Sequence, residues 1–342
     1  MFNRKRIISV IISSALALTA AGCANSGNSS ANTTAKTADS SEAVGKKLSI
    51  VCTIFPEYDW VREILGSKAD DADITYLLDN GVDLHSYQPT AEDIMKISTC
   101  DLFIYVGGES DEWVEDALAQ AQNKDMKVIN LMEVLGDKAK EEEIKEGMQE
   151  EEHDHEHEHE DGEPEYDEHV WLSLKNAEIL CAEIESDIEA LDPDNADTYR
   201  TNLESYTEKL ISLDSDLKTL IDSAGETALI FGDRFPFRYF ADDYGIDYYA
   251  AFVGCSAESE ASFETVAFLA AKADEFNADT IYTIENSDGR IAQAVIDASS
   301  SKDKTIAVLN SVQSVSQDDI KNGTTYLSLM QQNYETLKTD LK

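Results

Sequence analysis

Residues 196–225 read ADTYRTNLESYTEKLISLDSDLKTLIDSAG. Apolar side chains recur at Tyr199, Leu203, Tyr206, Leu210, Leu213, Leu217 and Leu220, in steps of four and three. That is the period of a long amphipathic helix with one buried stripe, and Gly225 ends it. Its flanks make it decisive for the fold. Alternation of strand and helix patterns stops before it and restarts after it.

On the N-terminal side, KLSIVCTIF (47–55) is a β-branched apolar run that reads as a buried strand. A helical pattern, PEYDWVREILG (56–66), follows and stops at Gly66. ADITYLL (72–78) is a second strand and DNGVDLHSYQPT (79–90) a loop. AEDIMKIST (91–99) is a short helix, with Thr90 as N-cap and Asp93 three residues on. CDLFIYVGG (100–108) and MKVINLM (126–132) read as strands around the helix SDEWVEDALAQAQ (110–122). A helical region runs from Ser173 to Ser223, interrupted by Pro193. Beyond it, TALIFG, DYYAAFVG, DTIYTIE and TIAVLN read as strands. The helices between and after them are FPFRYFADDYG, ASFETVAFLAAKADEFN, GRIAQAVIDASS and TTYLSLMQQNYETLKTDL.

The expected fold class is α/β: two lobes, each with a mainly parallel sheet flanked by helices, joined by one long backbone helix. The expected organisation is a signal peptide at 1–22, a lipidated cysteine and flexible linker at 23–46, and an N-terminal lobe at 47–172. A linking helical region follows at 173–224 and a C-terminal lobe at 225–342. In open α/β sheets ligands bind outside the carboxyl ends of the strands, so the cleft between the lobes is the expected site.

The N-terminal segment carries Arg4, Lys5 and Arg6, then an apolar stretch too short to span a bilayer, then AAGC. This resembles a bacterial lipobox, with Ala20 where Leu is commoner. Cleavage before Cys23 and lipidation of its thiol would anchor the chain outside the cytoplasmic membrane. ANSGNSSANTTAKTADSSEAVG then has too little apolar surface to fold. The net charge is −42 with 42% hydrophobic residues. Such a chain has enough apolar surface for real cores, repels nucleic acid and attracts cations. Cys52, Cys100, Cys181 and Cys255 stand at wide spacings with no CxxC, which leaves open whether they pair or act as small buried hydrophobes.

Of six histidines, four sit in EEHDHEHEHE (151–160): His153, His155, His157 and His159. They lie in a loop, 141–168, that holds sixteen acids and one lysine. Alternating histidine and acid on a mobile chain offers many weak ligand sets and no packed shell to fix one of them, so the tract reads as an accessory metal loop. The other two, His85 and His169, stand alone at loop edges where the lobes should meet. Imidazole suits Zn²⁺ and Mn²⁺, and four-coordination asks for about two more ligands. The second lobe has no histidine, so carboxylates at its strand ends are the candidates: Asp233, Glu285 and Asp288.

NGVDLHSYQPTAED, DEHVWLSL, RYFADDYGI, IYTIENSDGRIAQAV and TTYLSLMQQNYETL together resemble motifs of the zinc/manganese solute-binding lipoproteins of ABC transporters (cluster A-I). The resemblance runs in order from Lys47 to Lys342. It implies a metal-binding cleft between two lobes on a rigid linking helix, with delivery to a membrane permease. By motif match His85 and His169 are the first-lobe ligands. The third ligand of the family, a His or Glu shortly before a YF pair like Tyr239–Phe240, falls on Arg234, which cannot ligate a cation. A one-residue shift brings in Asp233. The fourth, an acid near a strand end, matches Glu285 or Asp288, with Glu285 favoured because it directly ends the strand.

The expected function is therefore high-affinity capture of Zn²⁺, alternatively Mn²⁺, by a monomeric extracytoplasmic lipoprotein that passes the ion to an ABC permease. A surface adhesin or metal buffer without transport is a competing reading. A secreted metal-dependent hydrolase is another, but no HExxH, GxSxG or P-loop occurs. GCSAESE around Cys255 offers a thiol nucleophile, yet with both lone histidines assigned no imidazole base remains for it.

Overall fold

The structure, a computed structural model, describes residues 47–149, 165–225, 227–256 and 260–341. The first lobe runs β1 (Ser49–Cys52), α1 (Phe55–Leu65), β2 (Asp73–Tyr76), α2 (Ala91–Thr99), β3 (Leu102–Tyr105), α3 (Trp113–Ala119), β4 (Lys127–Asn130) and α4 (Leu131–Leu135). Its strands form one parallel sheet in the order β2-β1-β3-β4. Two linking helices follow, α5 (Leu174–Leu191) and α6 (Ala196–Ala224), separated by a turn at Pro193–Asn195. The second lobe runs β5 (Ala228–Phe235), α7 (Arg238–Tyr244), β6 (Asp247–Val253), α8 (Phe263–Glu275), β7 (Thr280–Thr283), α9 (Arg290–Ala298), β8 (Thr305–Val308), α10 (Gln317–Lys321) and α11 (Tyr326–Asp340). It repeats the first topology as a parallel sheet in the order β6-β5-β7-β8.

The stripe on α6 explains its place. Tyr199, Tyr206, Leu210, Leu213, Leu217 and Ile221 are all buried. They pack α6 on α1 and α5 of one half and on α7 and α11 of the other. Its 29 residues span about 43 Å, so one helix backs both lobes.

Caps set the local starts. Thr90 accepts the Asp93 N–H, and Asp93 accepts back from Thr90, the box expected at α2. Asn130 accepts the Glu133 N–H and ends β4, so helix begins where the sequence pattern still read as strand. In β5 the strand runs past Gly232 to Phe235, with a register shift between Phe231 and Arg234. Asp233 and Arg234 therefore lie within the strand, where the sequence reading had them beyond its end.

Among the described residues Cys52, Cys100, Cys181 and Cys255 form no disulfide; the first three are buried and Cys255 is partly so. Among the described residues no helix is long and apolar enough to cross a membrane.

Candidate metal centre

His85 sits in a single turn of 3-10 helix, Leu84–Ser86, just beyond the carboxyl end of β2. Asp83 caps this turn by accepting the His85 N–H at 3.0 Å, and buried Leu84 pins it to the core. His169 is placed from the other side. The segment before it is tied back by the Glu141–Tyr166 bridge and by Asp167 N–H to Lys140 C=O at 2.9 Å. The segment after it, Val170–Leu172, is wholly buried. Each side chain buried there contributes about 1.5–3 kcal/mol, so the backbone of His169 has little freedom. Trp171 fixes the height of this turn by donating its Nε1–H to Ser311 C=O at 2.8 Å.

These two loops bring the imidazoles edge to edge. His85 Nε2 and His169 Nε2 are 3.2 Å apart. His169 is 0% exposed and the His85 side chain 10%. Each Nδ1 has an acceptor behind it. Asp167 Oδ1 lies 2.9 Å from His169 Nδ1. Glu168 Oε2 lies 3.3 Å and Ser110 Oγ 2.8 Å from His85 Nδ1. An ionised carboxylate only accepts, so these partners assign the ring proton to Nδ1 in both histidines. Both Nε2 lone pairs then point at each other across a gap that needs a cation or a proton.

Glycine lets the surroundings approach. Gly108 adopts φ +83°, and a Cβ there would fall 2.5 Å from Glu168 Oε1. Without one, Glu168 reaches the Ser110 N–H at 2.8 Å and stays beside His85. At the end of β6, a Cβ on Gly254 would lie 3.1 Å from the His169 ring and 3.0 Å from Phe235 C=O. The bare glycine brings the next residue, Cys255, up to the pair. One donor atom each from His85, His169 and Cys255 lies within 4.8 Å of the others.

The cluster opens into a cavity of about 300 Å³ lined by Glu142, Glu165 and Glu168 as well as His85 and Cys255. Burial, with Asp167 adding to it, pushes the Glu142 carboxyl up to about 7. Burial and the carboxylates Asp167, Glu168 and Glu142 push the Cys255 thiol up. Burial also raises Glu168, but hydrogen bonding and attraction to His85 outweigh it and hold that carboxyl below its ordinary range.

The second-lobe carboxylates expected from the sequence lie elsewhere. Asp233, Glu285 and Asp288 line an adjoining cavity of about 490 Å³, which shares Ser256 with the first. Glu285 accepts both the N–H and the hydroxyl of Ser311, at 2.7 and 2.6 Å. Asp288 is turned to Arg290. Asp233 accepts the Arg234 N–H at 2.9 Å. Among the described residues none of the three joins the His85–His169 cluster. Arg234 reaches across the cleft to pair with Asp83, the residue that caps the His85 turn. Burial raises Asp83, but Arg234 and His85 together more than offset it and hold the carboxyl low.

His153, His155, His157 and His159 lie outside the described residues, as does Cys23. The stems of the acidic tract are described. Gln149 donates its N–H to Ala251 C=O at 2.9 Å, and Gln149 and Glu165 line the cavity beside His85. Sequence reasoning weighed Cys255 only as a thiol nucleophile and missed its place beside the histidines, the carboxylates Asp167 and Glu168 behind them, and the Arg234–Asp83 clamp. The one signal for Cys255 was its position just after the strand end DYYAAFVG, the level at which the site was expected.

The sequence matches the model of a family described as ZnuA, zinc-uptake complex component A, periplasmic, over residues 50–340. It is 30% identical over 337 residues to the high-affinity zinc uptake system protein ZnuA of Bacillus subtilis, covering 98% of each chain. It is 31% identical over 331 residues to the zinc-binding lipoprotein AdcA of Streptococcus pneumoniae, covering 97% of this chain and 60% of AdcA. Among solved structures, the Zn(II)-bound ZnuA-like domain of that AdcA superposes with a TM-score of 0.66 at 29% identity, covering 86% of this chain and 99% of the domain. The metal-dependent lipoprotein YcdH of B. subtilis gives 0.68 at 28% identity, covering 86% and 99%.

Proposed function

Because this chain belongs to the ZnuA family of zinc-uptake complex components, we propose that it captures Zn²⁺ outside the cytoplasmic membrane and passes it to the permease of an ABC importer. It acts as a monomeric carrier, anchored through Cys23, and the ion is its cargo. We read it as a carrier and not a catalyst, because the relatives it matches are described as zinc-uptake and zinc-binding proteins.

The observation that carries this reading is the 3.2 Å separation of the two Nε2 atoms. Two nitrogens bound to one tetrahedral zinc at about 2.05 Å lie roughly 3.3 Å apart. The pair is already at the spacing that zinc requires. Asp167 and Glu168 supply the carboxylate–histidine arrangement that fixes each tautomer and raises ligand basicity. Acids lining the cavity add a negative potential that draws a dication in. Asp233, Glu285 and Asp288 extend that potential along the adjoining cavity. Capture requires each ligand to shed a competing proton, so affinity falls as the solution is acidified. Mn²⁺ prefers harder, oxygen-rich sets and is the weaker cargo for a site built on two imidazoles.

His85→Ala and His169→Ala are each expected to lower zinc affinity by roughly 100-fold or more, beyond the 10–100-fold typical of losing an outer-shell partner. Titration calorimetry of the two purified variants measures this. Unchanged tight binding in both would remove the site assignment and leave the carrier reading to be placed on other ligands.

A further inference from the structure

Resting on the zinc-carrier reading, we infer that the second lobe's metal ligand is the Cys255 thiolate, so that the ion is held by two imidazole nitrogens and one sulfur. Arg234, which stands where the family pattern calls for a ligand, is a cation already paired with Asp83. Glu285 is committed to Ser311 and Asp288 to Arg290. Asp233 accepts the Arg234 N–H and lines the adjoining cavity. Among the described residues that leaves the second lobe with one donor in the histidine cluster, and it is sulfur. The Cys255 donor lies within 4.8 Å of both imidazole donors. An ideal tetrahedral N–Zn–S edge is roughly 3.6 Å, which a small approach of the 254–256 turn supplies.

The local chain is built to present this thiol. Gly254 permits close approach to the His169 ring, and Glu142 Oε1 accepts the Cys255 N–H at 3.4 Å. The other described cysteines have no such company. Cys52, Cys100 and Cys181 are packed in the hydrophobic core of the first lobe and linking helix. Binding forms a metal–sulfur bond and breaks the S–H bond, with the proton leaving to solvent and no change of oxidation state. Three protein ligands leave one tetrahedral position for water, which suits an ion that must later be released. Sulfur also sets selectivity: thiolate favours Zn²⁺, whereas Mn²⁺ favours oxygen.

The test is cobalt substitution of the purified chain, read by absorption, with zinc and manganese titrations alongside. The wild-type protein with Co²⁺ is expected to show an intense near-ultraviolet thiolate-to-cobalt charge-transfer band, and Cys255→Ser to lose it. In C255S zinc affinity should fall by roughly 10–100-fold or more, with the preference for zinc over manganese narrowed, because losing a ligand costs at least what losing an outer-shell partner does. A wild-type spectrum without that band overturns the inference whether or not the variant folds. So does a folded C255S with unchanged zinc affinity. If His85→Ala and His169→Ala still abolish tight binding in that case, the carrier reading stands and only the thiolate falls. A wild-type chain that binds no zinc overturns both.

Discussion

At the scale of single residues, the proposed site depends on atoms that would not touch the ion. Asp167 accepts the backbone N–H of His169 at 2.8 Å and its ring Nδ1 at 2.9 Å. It thereby fixes both where the residue sits and which nitrogen faces the gap. Asp167→Asn keeps an acceptor oxygen and the shape but removes the charge that raises ligand basicity. It is expected to lower zinc affinity by roughly 10–100-fold. Calorimetry checks this, with circular dichroism expected to match wild type. An unchanged affinity would mean that Asp167 only buttresses the loop. His85 and His169 were legible in the sequence because no other histidine stands in the folded lobes, so chemistry that needs imidazole has only these two. Cys255 was legible only as a reactive thiol, and its place beside the histidines was not, because side-chain direction decided the matter. Asp233, Glu285 and Asp288 stand at or near strand ends in sequence. The extension of β5 and the hydrogen bonds of Glu285 to Ser311 turn them to other work. A spacing rule counts positions along the chain and carries no information on which way a carboxylate points.

At the scale of elements, periodicity carried most of the fold. The strands, the alternation and the α6 stripe were all readable, since burial on one or both faces imposes a period on the sequence. Boundaries were less so, because caps such as Asn130 and the irregularity in β5 override pattern locally. The acidic tract is the element whose role the structure narrows. Its stems are part of the folded body: Met148 is buried, Gln149 pairs with Ala251, and Glu142 N–H bonds Glu165 C=O at 2.8 Å. Glu142 and Glu165 line the cavity beside the histidines. A deletion that removed the stems would damage the site itself, so the cut belongs between them. Replacing residues 151–164 with a short Gly/Ser linker is expected to leave one tight zinc site and remove weaker ones. Stoichiometry by elemental analysis and calorimetry reads both. Loss of the tight site would make the tract the primary ligand set and His85–His169 the accessory.

At the scale of the whole molecule, a shared core constrains how the ion is released. One hydrophobic cluster runs from Ile50 in the first sheet through α6 to Val315 and Tyr326 in the second lobe. Polar ties cross the same junction. Tyr326 OH donates to Trp171 C=O at 2.6 Å, its N–H reaches Asp59 at 2.8 Å, and Tyr76 OH donates to Val315 C=O at 3.0 Å. Swinging the lobes apart would expose Trp171, Tyr326 and Tyr76, all buried. At about 1.5–3 kcal/mol each, that alone costs roughly 5–9 kcal/mol before any broken hydrogen bond is counted. Total stability of an ordinary domain is on the order of 5–15 kcal/mol, so a hinge of that kind is nearly as costly as unfolding. The turns that carry the proposed ligands His85 and Cys255 face a smaller barrier, with Leu84 the one large buried apolar side chain among their residues. Residues 84–86 and 254–256 are short segments held by a few hydrogen bonds. Capture and release should therefore proceed by local movement of these turns, with the lobes fixed on α6. The expected result is a radius of gyration from small-angle X-ray scattering that does not change on adding zinc, while amide exchange slows in the two turns and not along α6. A contraction of the whole particle on binding, or protection spreading along α6, would show that the junction opens despite its core and that the burial argument is wrong.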